Sequence, residues 1–356
     1  MEKSTAHSPV TTRLLNWYKV HKRQLPWRET TDAYSIWISE VILQQTRVAQ
    51  GEDYFLRFMH RFPNVQLLAE AEEEEVLKLW QGLGYYSRAR NMHAAAKQIM
   101  RQFGGIFPNR YSDILSLKGV GAYTAAAISS IAFNEPHAVV DGNVYRVIAR
   151  LFAIESPIHT SGGKKAIAAI AQSLIAAESP GSYNQALMDF GSIICTPAQP
   201  KCGDCMLQDY CAAYAENRVA YFPVNNRRVS IKKRYFNYFH IVQGNSTFLQ
   251  KRERSDIWKN MFEFPLIETL SAMDFMQLEQ TTAFRQLFPG IEALTIDHML
   301  ALKHQLTHQV IHANFYRVII PGKYPFTTPL NAIKIEKEQL SDYPVSRLTD
   351  KYMEIL

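Results

Sequence analysis

The 356-residue chain is 47% apolar and 20% charged with a formal charge of +6, which excludes the apolar depletion and charge excess of a disordered protein. A chain this long exceeds one hydrophobic core, so two domains are expected. The opening MEKSTAHSPVTTRLLNWYKV lacks a signal peptide's apolar run, and no stretch approaches the ~18 apolar residues of a membrane span, so an intracellular, cytoplasmic protein without a membrane anchor is expected. The mild basic excess suits an anionic partner without requiring one.

Read in chain order, the first part is a series of helices. Apolar residues recur at helical spacing in VTTRLLNWYKV (10–20), AYSIWISEVILQQT (33–46), EEEEVLKLWQGL (72–83), RARNMHAAAKQIM (88–100), AYTAAAISSIAF (122–133), GNVYRVIARLFAI (142–154) and KKAIAAIAQSLIA (164–176). Glycines and prolines punctuate them, and strand-like alternation is scarce. Residues 217–233 are basic, contain a proline and lack acids, as a connector would. Beyond it, YFNYFHIV (235–242), TFLQKR (247–252) and NFYRVII (314–320) read as strands, with DFMQLEQTTAFRQLF (274–288) as an amphipathic helix between the later two. The expected division is therefore a helical domain over 1–216, a connector over 217–233 and an α+β domain over 234–356.

All four cysteines, Cys195, Cys202, Cys205 and Cys211, fall in CTPAQPKCGDCMLQDYC with the spacing C-x6-C-x2-C-x5-C. Structural disulfides are rare inside cells, so the cluster points to a metal. Zinc sites usually join two close pairs across a longer loop, whereas a single compact loop of four thiolates suits an iron–sulfur cubane; both remain open on spacing alone.

Two further stretches carry chemistry. LSLKGVGAYTAAAI (115–128) sets G-x-G between helical segments, so that backbone N–H groups and a helix N-terminus face outward, as a phosphate contact needs. Alone, G-x-G is equally a tight turn. In VVDGNVYRVIARL (139–151), Asp141 immediately precedes a helix, where it is either an N-cap or a carboxylate set against a developing positive charge.

The cysteine spacing, the hairpin and VDGNVYRV together resemble the endonuclease III superfamily of DNA glycosylases. That resemblance implies a mainly α, two-lobed helix-hairpin-helix domain with an iron–sulfur loop holding a 4Fe-4S cluster on Cys195, Cys202, Cys205 and Cys211. It also implies DNA contact through Lys118, Gly119, Val120 and Gly121, with Lys118 replacing the family's proline, and Asp141 as the catalytic aspartate. Members that also cut the strand carry a lysine two residues after the second glycine; here that position is Tyr123, and a phenol forms no Schiff base, so water-mediated base release is expected.

KRQLPWRETTDAYSIWISEVILQQTRV (22–48) resembles the opening of the MutY family of adenine DNA glycosylases. On a helix, Glu40 neighbours Ile36, Trp37 and Leu43, and such surroundings raise a carboxyl pKa. A neutral carboxylic acid is what departure of adenine requires, although a buried glutamate also serves as a core hydrogen-bond partner. The resemblance implies Glu40 as general acid, Asp141 as stabiliser of the oxocarbenium ion, and Tyr123 and Asn143 as its supports. It further implies an adenine pocket of Arg23, Trp27, Arg28, Leu43, Val48 and Gln185, and duplex contacts from Gln45, Thr46, Gly84 and Tyr85, with Gln45 and Tyr85 as wedge.

The later part resembles the Nudix-like domain of the same family, TFLQKRERSDIWKNMFEFPLIE standing at its W-x-x-x-W-E-F-P-like signature. No Glu-rich REx2EExG helix follows residue 230, so a reader without hydrolytic chemistry is expected. KHQLTHQ (303–309) resembles the family's loop for 8-oxoguanine, with Leu306 and Thr307 replacing Phe and Ser; Thr307 and His308 are implied as readers. A metal face from His304, His308 and His312 is rejected, because the segment has neither helical pattern nor nearby carboxylate. The expected partner is double-stranded DNA with adenine opposite 8-oxoguanine or guanine, engaged by a monomer. The rivals are a glycosylase/lyase for oxidised pyrimidines and a catalytically silent DNA binder.

Overall fold

The computed structural model describes residues 8–225, 230–290, 294–321 and 332–356. Part of the basic connector, 226–229, lies outside the described residues. The chain separates into two compact units, one of residues 1–70 with 91–227 and one of 71–90 with 228–356. No helix among the described residues is long and apolar enough to cross a membrane.

The first unit is helical. In chain order the helices of the amino-terminal half are α1 (Pro9–His21), α2 (Ala33–Leu43), α3 (Val48–Arg61), α4 (Val65–Glu70), α5 (Glu73–Leu79), α6 (Ser87–Phe103), α7 (Tyr111–Leu115), α8 (Ala122–Ala132), α9 (Gly142–Leu151), α10 (Ser161–Ser173), α11 (Pro180–Ile193) and α12 (Ala212–Ala215). Local chemistry sets several starts. Ser8 caps α1 ahead of a proline at its first position, Asp32 accepts from Ser35 N at 2.8 Å, and Thr160 accepts from Gly163 N at 3.1 Å. Helix α2 is buried from Ala33 to Ile42, as its apolar circumference demands. Val144, Val147 and Ile148 of α9 meet Leu14 of α1 and Tyr183, Leu187 and Phe190 of α11 in one core.

Helix α11 was not among the helices legible from periodicity. It carries apolar residues on several sides and a glycine near its end, which blurs the stripe. Gly191 is required there: a Cβ would lie 2.7 Å from Asn143 Cβ, so α9 and α11 cross at a point with no room for a side chain.

The second unit is built on a mixed sheet of seven strands among the described residues: β1 (Lys232–Gln243), β2 (Ser246–Lys251), β3 (Phe262–Glu263), β4 (Leu266–Thr269), β5 (Thr295–Gln305), β6 (Gln309–Ile319) and β7 (Ala332–Glu336). The order is β3-β2-β1-β6-β5, with β4 on β1 and β7 on β2; β1 and β6 run parallel over Lys232↔Gln309 to Val242↔Ile319, and the other named pairs are antiparallel. The helix expected over 274–288 is instead two short ones, α13 (Phe275–Glu279) and α14 (Thr282–Leu287), because Thr281 leaves the helix and caps the second through Phe284 N at 3.2 Å. A last helix, α15 (Arg347–Met353), starts from Ser346.

Residues 71–90 are tied to this unit by side chains. Lys251 Nζ lies 2.8 Å from Glu74, Lys78 Nζ donates to Tyr343 O at 3.3 Å, and Gln81 donates to Asp350 at 3.1 Å while accepting from Val345 N at 3.2 Å.

Candidate active site and reader loop

A cavity of about 280 Å³ in the first unit is lined by Arg23, Trp27 and Arg28, then Glu40, Leu43, Thr46 and Val48, then Tyr123, Asp141, Asn143 and Gln185. The residues expected for catalysis and for the adenine pocket thus meet in one place, although they span more than 160 positions of sequence.

Glu40 is 8% exposed on the apolar α2. Burial pushes its carboxyl up to about 6, Asp141's charge acts the same way, and the Tyr123 hydrogen bond and Arg28 oppose them. Tyr123 Oη donates to Glu40 Oε2 at 2.6 Å, and burial raises its own phenol far enough that it stays a donor. The carboxyl therefore titrates near neutrality, where it can give up a proton.

Asp141 is an N-cap that also lines the cavity. It caps α9, Oδ1 accepting from Val144 N at 2.7 Å, and its Oδ2 accepts from Asn143 Nδ2 at 2.8 Å at the cavity wall. Burial raises its pKa, while the Val144 and Asn143 hydrogen bonds and the Arg146 charge pull toward the carboxylate. Arg146 also holds Asn143 Oδ1 at 2.9 Å and donates to Gly191 O at 2.6 Å and Cys195 O at 2.7 Å.

Sequence reading missed Asp189. Fully buried on α11, it accepts from Arg28 at 2.6 and 2.9 Å and from Arg23 Nε at 2.8 Å, Arg23 Nη2 adding a further bond. Burial would raise this carboxyl, but Arg28 and Arg23 outweigh it and hold it below the usual range. Two expected pocket arginines are thereby fixed as a fork pair. Gln185 is fixed in turn by Tyr18 Oη at 2.7 Å. Nothing near Asp189 in the sequence signals an ion pair, because both partners lie over 160 residues away.

The hairpin turns as expected. Gly119 has φ +76° and would press a Cβ to 2.5 Å from Asn91 Cβ, Val120 N closes on Leu117 O at 3.0 Å, and exposed Gly121 precedes α8 with nothing within 4 Å of an added Cβ. Lys118 is exposed beside it. Exposed Gln45 sits at φ 57°, a left-handed conformation that a non-glycine residue holds only where its surroundings insist.

The four cysteines line one cavity with Arg150, Leu151, Phe190 and Tyr214. Arg150 Nη1 donates to Cys195 Sγ at 3.4 Å and to Thr196 O at 2.7 Å, and its other nitrogens donate to the carbonyls of Pro197, Val219 and Phe222 at 2.9 to 3.1 Å. Burial pushes the Cys205 thiol up to about 11 and raises Cys202 and Cys211, with neighbouring cysteines adding to it. Four such thiols become ligands only when a cation takes their charge, so the donor set fits a metal group. Among the described residues no three His, Cys, Asp or Glu side chains are gathered to hold a single ion.

In the second unit, Tyr85 and Thr307 meet: Tyr85 Oη and Thr307 Oγ1 are 2.5 Å apart. Tyr85 is 47% exposed at φ 48°, following Gly84 at φ 73°. Thr307 and exposed His308 lie in the tight turn between β5 and β6, closed by Leu306 N to Gln309 O at 2.8 Å. A cavity of about 570 Å³ opens between residues 82–87 and 304–309, with Trp258 and Arg347 on its wall. His304 and His312 are strand residues packed on Trp258 and Tyr235.

The family model for an HhH-GPD superfamily base excision DNA repair protein matches residues 38–175, and that for a NUDIX domain matches 237–354. An adenine DNA glycosylase of Buchnera aphidicola subsp. Acyrthosiphon pisum (strain APS) is 33% identical over 309 residues, 86% of this chain and 86% of its own. The chain belongs to the adenine DNA glycosylases. The adenine DNA glycosylase of Rattus norvegicus is 45% identical over 210 residues, covering 56% of this chain and 41% of that one. A solved thermostable thymine-DNA glycosylase superposes with a TM-score of 0.55 at 31% identity over 58% of this chain and 95% of its own. As an adenine DNA glycosylase, the chain is a base-excision repair hydrolase with a helix-hairpin-helix domain and a NUDIX-like domain.

Proposed function

We propose that this adenine DNA glycosylase hydrolyses the N-glycosidic bond of adenine paired with 8-oxoguanine, or with guanine, and that it does not cut the strand. Glu40 gives its proton to N7 of an extruded adenine, the C1′–N9 bond breaks with its electrons leaving on the base, and the sugar becomes an oxocarbenium ion. Asp141 stabilises that cation as a carboxylate, and water adds at C1′ and loses a proton. Tyr123 and Asn143 orient the two carboxyls; Arg23, Trp27, Arg28, Leu43, Val48 and Gln185 hold the base. The observation that carries the reading is the 2.6 Å hydrogen bond from Tyr123 to buried Glu40 in the cavity that Asp141 lines, because the residue that would have to be an amine in a lyase is engaged in tuning the acid.

Chemistry is assigned to the domain of residues 1–216 and reading to that of 234–356, with 217–233 joining them. Thr307 and His308 read the lesion, Tyr85 and Gln45 fill the gap left by the flipped base, and Thr46, Gly84 and the turn 118–121 hold the backbone. The cysteines Cys195, Cys202, Cys205 and Cys211 hold a 4Fe-4S cluster; four soft thiols around one cavity, with Arg150 on a sulfur, support that choice over zinc. The cluster would cross-link the loop 195–211 within itself, with Arg150 of α9 donating to a ligand sulfur.

Duplexes carrying adenine opposite 8-oxoguanine, adenine opposite cytosine, and thymine glycol opposite adenine test this. Alkali-dependent cleavage at adenine in the first duplex, with no cleavage in the others, is expected. Alkali-independent cleavage at thymine glycol would establish the lyase, and tight binding without cleavage the silent binder.

A further inference from the structure

The segment leading into Asp141, Asn134 to Val140, belongs to no helix and no sheet. Its backbone polar groups are answered by two side-chain amides. Gln172 Nε2, on α10, donates to Pro136 O at 2.7 Å while Gln172 Oε1 accepts from Ala138 N at 3.0 Å. Asn184 Nδ2, on α11, donates to His137 O at 2.8 Å while Asn184 Oδ1 accepts from Val139 N at 3.0 Å. Each amide thus bridges the C=O of one residue and the N–H two residues on, Gln172 reaching from α10 and Asn184 from α11. Asn184 is fully buried, and its remaining N–H goes to Ser130 Oγ at 2.8 Å on α8, so every donor it has is committed.

We propose that Asn184 and Gln172 are positioning residues that clamp the backbone of residues 136–139 and thereby fix where Asp141 stands over the sugar. The inference rests on the catalytic role proposed for Asp141. Asp141 is two residues beyond the last clamped amide, so its carboxylate is set from upstream by the clamp and from downstream by the start of α9. Without the clamp, four backbone groups lose their partners and the segment is free to shift, and a shift of ~1 Å at a reacting group costs on the order of a hundredfold.

The test uses the full chain with Asn184→Ala, Gln172→Ala and, in parallel, Asp141→Asn. Three quantities are read: amide hydrogen exchange at Ala138 and Val139, the single-turnover rate of adenine release, and affinity for the duplex. Gln172→Ala should speed exchange at Ala138 and slow excision by a few-fold; Asn184→Ala should speed exchange at Val139 and slow excision by about tenfold or more, with affinity unchanged in both. Because Gln172 lies on the exposed side of α10, its variant remains informative if Asn184→Ala does not fold. Freed amides with a wild-type excision rate would overturn the inference, as would amides that stay protected. If Asp141→Asn keeps its turnover, the reading of Asp141 fails instead, and the amide data tell the two failures apart.

Discussion

The cavity around Glu40 and the turn around Thr307 handle polar groups in opposite ways. In the first, Glu40 is buried and met by Tyr123 from another helix, half-buried Asp141 is met by Asn143 of the helix it caps, and burial raises both carboxyls. In the second, Tyr85, Thr307 and His308 are exposed, and Tyr85 and Thr307 hold one another by a single hydrogen bond. A group that must transfer a proton gains from a dry and rigid setting, since electrostatic effects are larger there. A group that must inspect a base needs to be reached, and its bonds to water or to a neighbour are exchanged for bonds to the ligand at little net cost. The contrast predicts large, all-or-none effects from substitutions in the cavity and small, selective ones in the turn.

The largest effect is expected for Glu40→Gln, which should slow single-turnover excision by about 10² to 10⁴ while leaving DNA affinity intact. The same change should stabilise the fold. With the carboxyl raised from 4.5 to about 6, its contribution to stability is fully present below pH 4.5 and is lost as pH rises through about 6, a loss of about 2 kcal/mol. Melting at pH 8 should therefore favour the Gln variant, and melting at pH 4 should not. An unstable, fully active variant would break the contrast outright.

Next is Gly191→Ala. In a helix interior this change normally stabilises by about 1 kcal/mol. Here the new methyl would meet Asn143 Cβ at 2.7 Å and Val147 Cγ2 at 3.2 Å, so a destabilisation of about 1 to 3 kcal/mol is expected in thermal unfolding. Excision should fall with it, because Asn143 holds Asp141.

Tyr123→Phe tests tuning in place of presence. The phenol's hydrogen bond lowers the Glu40 pKa, so its removal raises that pKa further. The acid form then survives to higher pH, and the alkaline limb of the excision profile should move upward, with a loss of about fivefold at its plateau for the missing contact. A limb that moves downward would contradict the assignment of Glu40 as the acid.

The smallest effect belongs to the turn. Thr307→Ala should reduce the preference for 8-oxoguanine over guanine by about fivefold, the worth of one hydrogen bond, and leave excision opposite guanine unchanged. Equal losses on both substrates would mean the turn supports folding of its unit and reads nothing.

Two residues of the cavity were legible from local signals, and the others were reached through the family resemblance. Glu40 is embedded in an apolar helical stretch, and Asp141 stands directly before a helix with Asn143 beside it, so burial and capping both follow from a few neighbouring residues. Helix α11 was not legible, and with it went Asn184, Asp189 and Gly191, although Gln185 on the same helix was reached through the family resemblance. The strands β3, β4, β5 and β7 were missed for a related reason: two are very short, and β5 alternates weakly because it lies at the sheet edge, with exposed and half-buried residues in turn.

The sequence by itself determined the elements whose cause lies within one or two turns of chain: the apolar face of α2, the caps on α9 and α10, the glycine turn at 119 and the gathering of four thiols in one loop. Only the tertiary structure decided which distant groups complete them. Asp189 meets arginines over 160 residues upstream, Asn184 and Gln172 close on a segment 34 to 47 residues before them, and residues 71–90 join a unit whose strands begin at 232. Periodicity and capping are encoded by neighbours along the chain, whereas a hydrogen bond between side chains that far apart exists only after helices have packed and brought them to within 3 Å.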